Sequence, residues 1–451
     1  MREYEAAENA AVAAVRNCRR LGAIDSILIP IELVDSKPGM SAAAAKPVSA
    51  AQVPVPKGDK RRWLILALLL GITTINFIDR QTLSVLAPQI RESLHLSRTV
   101  YGRLASAFQF GMMSGEFPMA WIMDRWGVRL GMAGAVIWWS IATGLHGFAR
   151  SGFSLGALRY WMGTGECGNY SGGVKTVGAW FPQNERAFAV GFFNSGSMIG
   201  AMIAPPLVIY LATRVGYRWA FLAPALLALI WVPLWLKFCR GHAAGTKDFP
   251  PSRDLLHYRQ TWAIMACRFL VGPVAQFYWY WIFDYLVTIR GFSLRQIAFA
   301  GWIPFLAGDI GSLGGGLVAG WLLKRGLSVP NARQVTMYFG AVLCLASFAV
   351  YYAPNAATCL AMIAVALFGH TFLSANMFAA VPDMFPPTSV GRVTGLHGIC
   401  GGFSGVLFPL LTGILADKVS YAPVFALAAV MPMAGVILLF IVSQRLKPVV
   451  L

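Results

Sequence analysis

The chain has 451 residues, 57% of them hydrophobic and only 12% charged, with a formal net charge of +18. So few charges cannot solvate a soluble surface of this size, which excludes a water-soluble enzyme or nucleic-acid-binding domain and points to a polytopic membrane protein. The basic residues sit in short loops between apolar runs, where they orient a chain in a bilayer rather than bind nucleic acid.

Residues 1–60 are rich in Ala, Pro and charge, and their one apolar piece, Ile27 to Val34, is short and interrupted by Glu32. That is not the apolar core of a signal peptide, and a flexible cytoplasmic tail without assigned chemistry is expected. From Trp63 onward, runs of spanning length follow one another: Trp63 to Ala87, Val100 to Ile122, Leu130 to Ala149, Phe153 to Trp180, Ala187 to Ala212 and Trp219 to Phe238. After a polar linker at 240–259 they resume as Thr261 to Ile289, Gln296 to Leu323, Val335 to Tyr352, Ala357 to Val381, Gly391 to Ala416 and Val424 to Val442. Each can cross about 30 Å of hydrocarbon as a helix. The expected fold is all-α, with twelve transmembrane helices in two six-helix bundles, residues 61–239 and 260–451.

Between the second and third runs, AWIMDRWGVR places Asp124, Arg125, Gly127 and Arg129 in a short charged turn. The fourth run carries Arg159 and Glu166 where lipid-compatible residues would be cheapest. They lie two helical turns apart, on one face. Each charge at mid-bilayer costs roughly 2.5 to 3.5 kcal/mol on insertion scales, so the pair calls for partners and for a function. Glycines from Gly163 to Gly178 let neighbouring helices approach this one, and a central cavity lined by it is expected.

Basic residues at alternate ends orient the chain. One side carries Lys60, Arg61, Arg62, Arg125, Arg129, Arg186, Lys237, Arg240, Lys324, Arg325, Arg333 and Arg392, and the other has about half as many, including Arg91, Arg98, Arg150, Arg218 and Arg290. Both termini are expected in the cytoplasm. An internal repeat lays Phe181, Pro182, Gly191, Pro205, Tyr217 and Phe221 on Phe385, Pro386, Gly395, Pro409, Tyr421 and Phe425 at one constant shift, as two parallel halves would give. The cysteines show no CxxC spacing, so neither a disulfide framework nor a metal site is indicated, and no cofactor is expected.

The AxxxDRxGxR turn, the six-plus-six runs and the central basic loop resemble the major facilitator superfamily, whose motif begins with Gly where this chain has Ala120. INFIDRQTLSVLAPQI, the block from LRYWMGTGECGNYSGG through GSMIGAMIAPPLV, and CRFL followed by GFSLRQIAFAGWIPFLAGDIG resemble its anion:cation symporters. The nearest likeness is to bacterial hexuronate transporters, which take up glucuronate and galacturonate with protons. The resemblance runs from about Trp63 to about Gln444 and implies a monomeric carrier in the bacterial inner membrane. It makes Asp79 a protonatable acid and Arg80 an arginine that meets a substrate carboxylate, and it places Arg159 and Glu166 in the proton-coupling set. Residue chemistry agrees: a buried guanidinium offers paired donors to a carboxylate. A carboxylate in the same site is poised between burial, which favours its neutral form, and a neighbouring arginine, which favours its charge. A substrate anion that competes for the arginine frees the acid to take a proton.

Weaker substrate candidates are Arg268 in the seventh run, which could instead snorkel to the interface, and Tyr278 and Trp281, whose aromatic run is also ordinary belt material. Gln109, Asn194 and Asn376 can hydrogen-bond hydroxyls or serve as interhelical glue. Glu116 and Asp309 suit gating salt bridges, and His370 and His397 suit packing. Related carriers often put a tyrosine in the middle of the second span, where this chain has Met112 and Met113. No metalloprotease, nucleophile or phosphate-loop constellation is present. A symporter or exchanger of another small carboxylate, or a non-transporting sensor on the same fold, stands as the alternative. Such a sensor is expected to lose Asp79 or Glu166, and this chain keeps both.

Overall fold

A computed structural model describes residues 60–239 and 253–449. The N-terminal tail and most of the 240–259 linker lie outside these. Among the described residues the chain is helical, without strands. In order the helices are α1 (Arg61–Val85), α2 (Ala87–Ser93), α3 (Arg98–His146), α4 (Gly152–Trp180), α5 (Gln183–Asn194), α6 (Gly196–Arg214), α7 (Tyr217–Phe238), α8 (Arg259–Thr288), α9 (Leu294–Ala300), α10 (Ile303–Lys324), α11 (Val329–Cys344), α12 (Ala346–Tyr352), α13 (Ala356–Met384), α14 (Pro387–Lys418) and α15 (Ala422–Val442). Every apolar run of the sequence falls on helix.

α3 is 49 residues long, far more than a bilayer needs, and it joins two helices across Gly127, whose φ of +79° only glycine adopts cheaply. A Cβ on Gly131 would stand 3.1 Å from the Met123 Cα, although a straight helix separates residues eight apart by about 12 Å. The chain therefore doubles back here. The charged turn read from the sequence makes this reversal: Asp124 pairs with Lys175 at 2.7 Å, and the Arg129 guanidinium donates to the Leu236 carbonyl at 2.6 and 3.1 Å. Arg125 is exposed.

Both arms of α3 pack on α4 through glycines. A Cβ on Gly111 would meet the Tyr160 carbonyl oxygen at 2.3 Å, and one on Gly163 would meet the Phe108 carbonyl oxygen at 2.3 Å. Gly163→Ala is therefore expected to force the helices apart and to destabilise the protein by about 1 to 3 kcal/mol, read as a lower unfolding temperature in detergent. Nine helical stretches among the described residues are long and apolar enough to cross a membrane. α4 and α8 are of similar length but carry charges inside, and they are not among the nine. Large apolar side chains such as Phe117, Phe153, Leu317 and Ile441 stand 70% or more exposed, a surface suited to acyl chains and not to water.

The repeat extends into the backbone. α4 and α13 are each 29 residues long and lie at the same shift as the matched residues. Both start behind a side-chain cap, Ser151 or Asn355. Both end on an extended Phe-Pro step, with φ/ψ of −116°/139° at Phe181 and −120°/143° at Phe385. The arms α1 to α7 and α8 to α15 meet chiefly where α3 lies against α14: the Gly102 and Gly413 positions touch the Pro409 and Arg98 backbones.

Candidate functional site

Arg80 and Glu166 form the centre. Glu166 is the middle residue of α4 and is completely buried as a side chain, and its Oε2 accepts from Arg80 Nη2 at 2.9 Å and Nε at 3.2 Å. The Arg80 guanidinium also lies 4.5 Å from the Phe77 ring centre and 5.1 Å from that of Phe108. Such stacking suits a planar, weakly hydrated cation. Arg159 is 2% exposed, donates to the Arg80 carbonyl at 3.3 Å and stacks over Phe108, and its Nε has no partner. Arg159 and Glu166 thus share a face without pairing: Glu166 is taken by Arg80, and among the described residues no carboxylate ion-pairs with Arg159. Asp79 is 1% exposed with both oxygens unpartnered, and the neighbouring Trp139 indole N–H is unpartnered too. Adjacent residues on α1 leave the helix about 100° apart, so Arg80 reaches α4 while Asp79 turns toward the second arm of α3.

α8 supplies the opposite wall. Gln276, Tyr280 and Asp284 recur every fourth residue and so share one face. The buried Tyr280 hydroxyl is unpartnered and stands within electrostatic reach of Arg80, Arg159 and Glu166. Gln276 approaches Gln109 across Gly405, whose Cβ would meet the two amide nitrogens at 3.3 and 2.7 Å. Tyr278 and Trp281, the aromatics singled out in the sequence, take other faces: Tyr278 hydrogen-bonds Ser347 at 2.8 Å, and Trp281 packs edge-on against Tyr101 and Tyr421. Both are fully buried.

Asn376, Asn194 and Arg268, also expected at the substrate, make contacts of their own. Asn376 accepts from Arg333 at 2.9 Å and donates to the Gly315 carbonyl at 3.0 Å, beside the Arg333–Asp383 ion pair. Asn194 is exposed on α5. Arg268 lies against Gly401 and over Phe378, with an unpartnered Nε, so it stays in the helix packing instead of snorkelling out. Glu116 is exposed and Asp309 partly so.

Asp284 was not singled out in the sequence, nor were Arg91, Arg98, Asp417 and Tyr421 given more than a place in a loop or a repeat. They form a cluster between the arms. Asp284 is fully buried, pairs with Arg91 of α2, lies 3.5 Å from Arg98 Nε and accepts from the Tyr421 hydroxyl at 2.6 Å. Asp417 accepts from the backbone N–H groups of Arg98 at 3.0 Å and Thr99 at 2.6 Å. Ser84 and Tyr101 donate to the carbonyls of Trp279 and Tyr280 at 2.7 Å each. At the end bearing the Gly127 turn, the pairs Arg62–Glu185, Lys175–Asp124 and Arg333–Asp383 each stay within one arm.

Comparison with known proteins agrees with this architecture. The Major Facilitator Superfamily profile matches residues 69–368 and 316–450. The hexuronate transporter of Escherichia coli (strain K12) is 29% identical over 413 residues, covering 86% of this chain and 95% of that protein. The D-galactonate transporter of Escherichia coli O6:H1 is 27% identical over 418 residues, covering 86% and 96%. Among solved structures, a bacterial homologue of the human lysosomal transporter Spinster, in an inward-facing and unoccupied conformation, superposes with a TM-score of 0.67 at 18% identity, over 86% of this chain and 97% of that one. With the profile spanning both arms and the fold shared, the chain belongs to the Major Facilitator Superfamily.

Proposed function

We propose that this protein is a proton-coupled symporter that moves a hexuronate or related sugar acid across the bacterial inner membrane by alternating access. In this reading twelve crossings form two six-helix bundles, residues 61–239 and 260–451, with both termini cytoplasmic and the substrate held where the bundles meet. The observation that carries it is the buried Arg80–Glu166 pair beside Arg159, an arginine without a carboxylate, and Asp79, a carboxylate without a donor.

An ionised group buried without a partner is costly, and an incoming anion relieves that cost at Arg159. As the substrate carboxylate takes the Arg80 and Arg159 forks, Glu166 loses its counter-ion and gains a proton, while Tyr280, Gln276 and Gln109 are placed to meet hydroxyls. Transfer of charge then follows substrate. The likeness to hexuronate and D-galactonate carriers supports a polyhydroxy acid as the cargo. Uptake of labelled glucuronate, galacturonate, galactonate and simple monocarboxylates into proteoliposomes under an imposed pH gradient tests this. Accumulation of none of the polyhydroxy acids would sink the assignment.

The Asp284 cluster closes the site from the end opposite the Gly127 turn, which in this orientation is the outer face. Removing one partner of a buried charge network costs about 3 to 5 kcal/mol. Asp284→Asn removes the buried carboxylate that Arg91 and Arg98 share and is expected to open this end. Spin labels at the exposed Glu92 and Lys418 should then report a longer distance than in the parent. An unchanged distance distribution would remove the gating role.

A further inference from the structure

We propose that the face of α3 carrying Trp139, Thr143 and His146 is a hydrated proton path joining Asp79 to a small cavity at the outer end of the first bundle. The inference rests on the proton-symport reading. These residues are spaced i, i+4 and i+7, so they share one face and span about 10 Å of helix. All are 3% exposed or less, and each has an unpartnered polar atom: Trp139 Nε1, Thr143 Oγ1 and His146 Nε2, with Ser140 Oγ alongside.

The hydroxyls are unusual within this molecule. Among the buried helical threonines, Thr82, Thr176, Thr336 and Thr412 donate to the carbonyl four residues back at 2.7 to 2.8 Å, Thr261 donates to the Leu255 carbonyl and Thr73 accepts from Asn169, whereas Thr143, like Ser140, has no partner. At the deep end Trp139 neighbours Asp79, and the indole N–H and both carboxylate oxygens are buried and unpartnered. At the outer end His146 Nδ1 donates to the Ala142 carbonyl at 2.7 Å and the ring stacks on Phe221. Its unpartnered Nε2 is thereby left on a ring that lines a cavity of about 20 Å³ with Ile90, Ser93, Leu94, Leu155 and Tyr217. That volume holds about one water molecule. Arg159, one turn along α4 from the cavity-lining Leu155, is a charged group within reach of His146.

A water in the cavity, anchored by donating one hydrogen to Nε2, can take a proton from the outer side as it releases its other one to Thr143, and Thr143 and then Ser140 each accept one proton and release their own, the last to an Asp79 oxygen. No bond other than O–H or N–H is made or broken. The path stays within the first bundle, so Asp79 can exchange protons with the outer side while the Asp284 cluster keeps the substrate route shut.

Labelled D-glucuronate is the probe, in proteoliposomes with a trapped pH dye. Thr143→Val and His146→Leu are expected to slow gradient-driven accumulation and its linked proton flux by about tenfold, with exchange at equal pH within about twofold of the parent. His146→Gln, which keeps polar atoms at this position, should stay near the parent in both assays. Retained exchange shows that the variants fold. Accumulation unchanged in Thr143→Val and His146→Leu overturns the path, as does loss of exchange together with accumulation. If the parent itself shows no proton-linked flux, the symport reading fails instead.

Discussion

Asp79→Asn and Glu166→Gln are each expected to abolish accumulation driven by a pH gradient, and at least one of them should keep exchange of labelled for unlabelled substrate. A permanently neutral amide cannot alternate between charge states through the cycle, so it cannot carry a proton in one direction. Exchange needs only the loaded transitions. The structure separates the two acids. Glu166 is held by Arg80 at 2.9 Å, so Glu166→Gln also removes the competitor for that arginine and should tighten anion binding in a direct titration. Asp79 has no such partner, and Asp79→Asn should leave affinity closer to the parent. The two titrate as a coupled group if they share the proton, in which case their phenotypes overlap. Uptake and exchange measured on one preparation at fixed pH decide the matter. Full gradient-driven accumulation in both variants would mean that neither acid carries the coupled proton.

Much of this centre was legible because charge inside an apolar helix is rare enough to stand out. Arg159, Glu166, Asp79 and Arg80 each interrupt a run that lipid would favour, and the first three are buried with Arg80 partly buried against Glu166. Which of them pair was not legible. Periodicity puts Arg159 and Glu166 on one face, but pairing depends on which neighbouring helix presents a counter-ion, and Arg80 arrives from α1. The Gly127 reversal and the α4/α13 repeat were likewise readable, since a glycine with positive φ and a Phe-Pro stop are local features.

α8 shows the opposite case. Its aromatic run QFYWYWIFDY hides a polar face, because tyrosine is both ring and hydroxyl, and attention to ring faces picked Tyr278 and Trp281. The fourfold spacing of Gln276, Tyr280 and Asp284 was the available signal. In the sequence Arg91 and Arg98 are charges at helix ends like many others, and only their three-dimensional convergence on Asp284 reveals a second use.

Arg80→Lys is expected to weaken substrate binding by about tenfold or more, equivalent to about 1.4 kcal/mol. The charge is kept, so a purely Coulombic role would survive. What is lost is the fork: Arg80 now directs Nε and Nη2 at one Glu166 oxygen and lays its plane between Phe77 and Phe108, which a compact, strongly hydrated ammonium cannot reproduce. The same planar donors would receive the substrate carboxylate when it displaces Glu166, so the loss should appear in the dissociation constant for the sugar acid and not only in transport rate. Arg159→Lys provides the comparison. Its guanidinium has a backbone carbonyl partner and no carboxylate, so the same substitution there removes substrate contact without releasing Glu166. If Arg80→Lys left the dissociation constant unchanged while Arg159→Lys raised it, Arg159 would be the anion receptor and Arg80 a structural partner of Glu166.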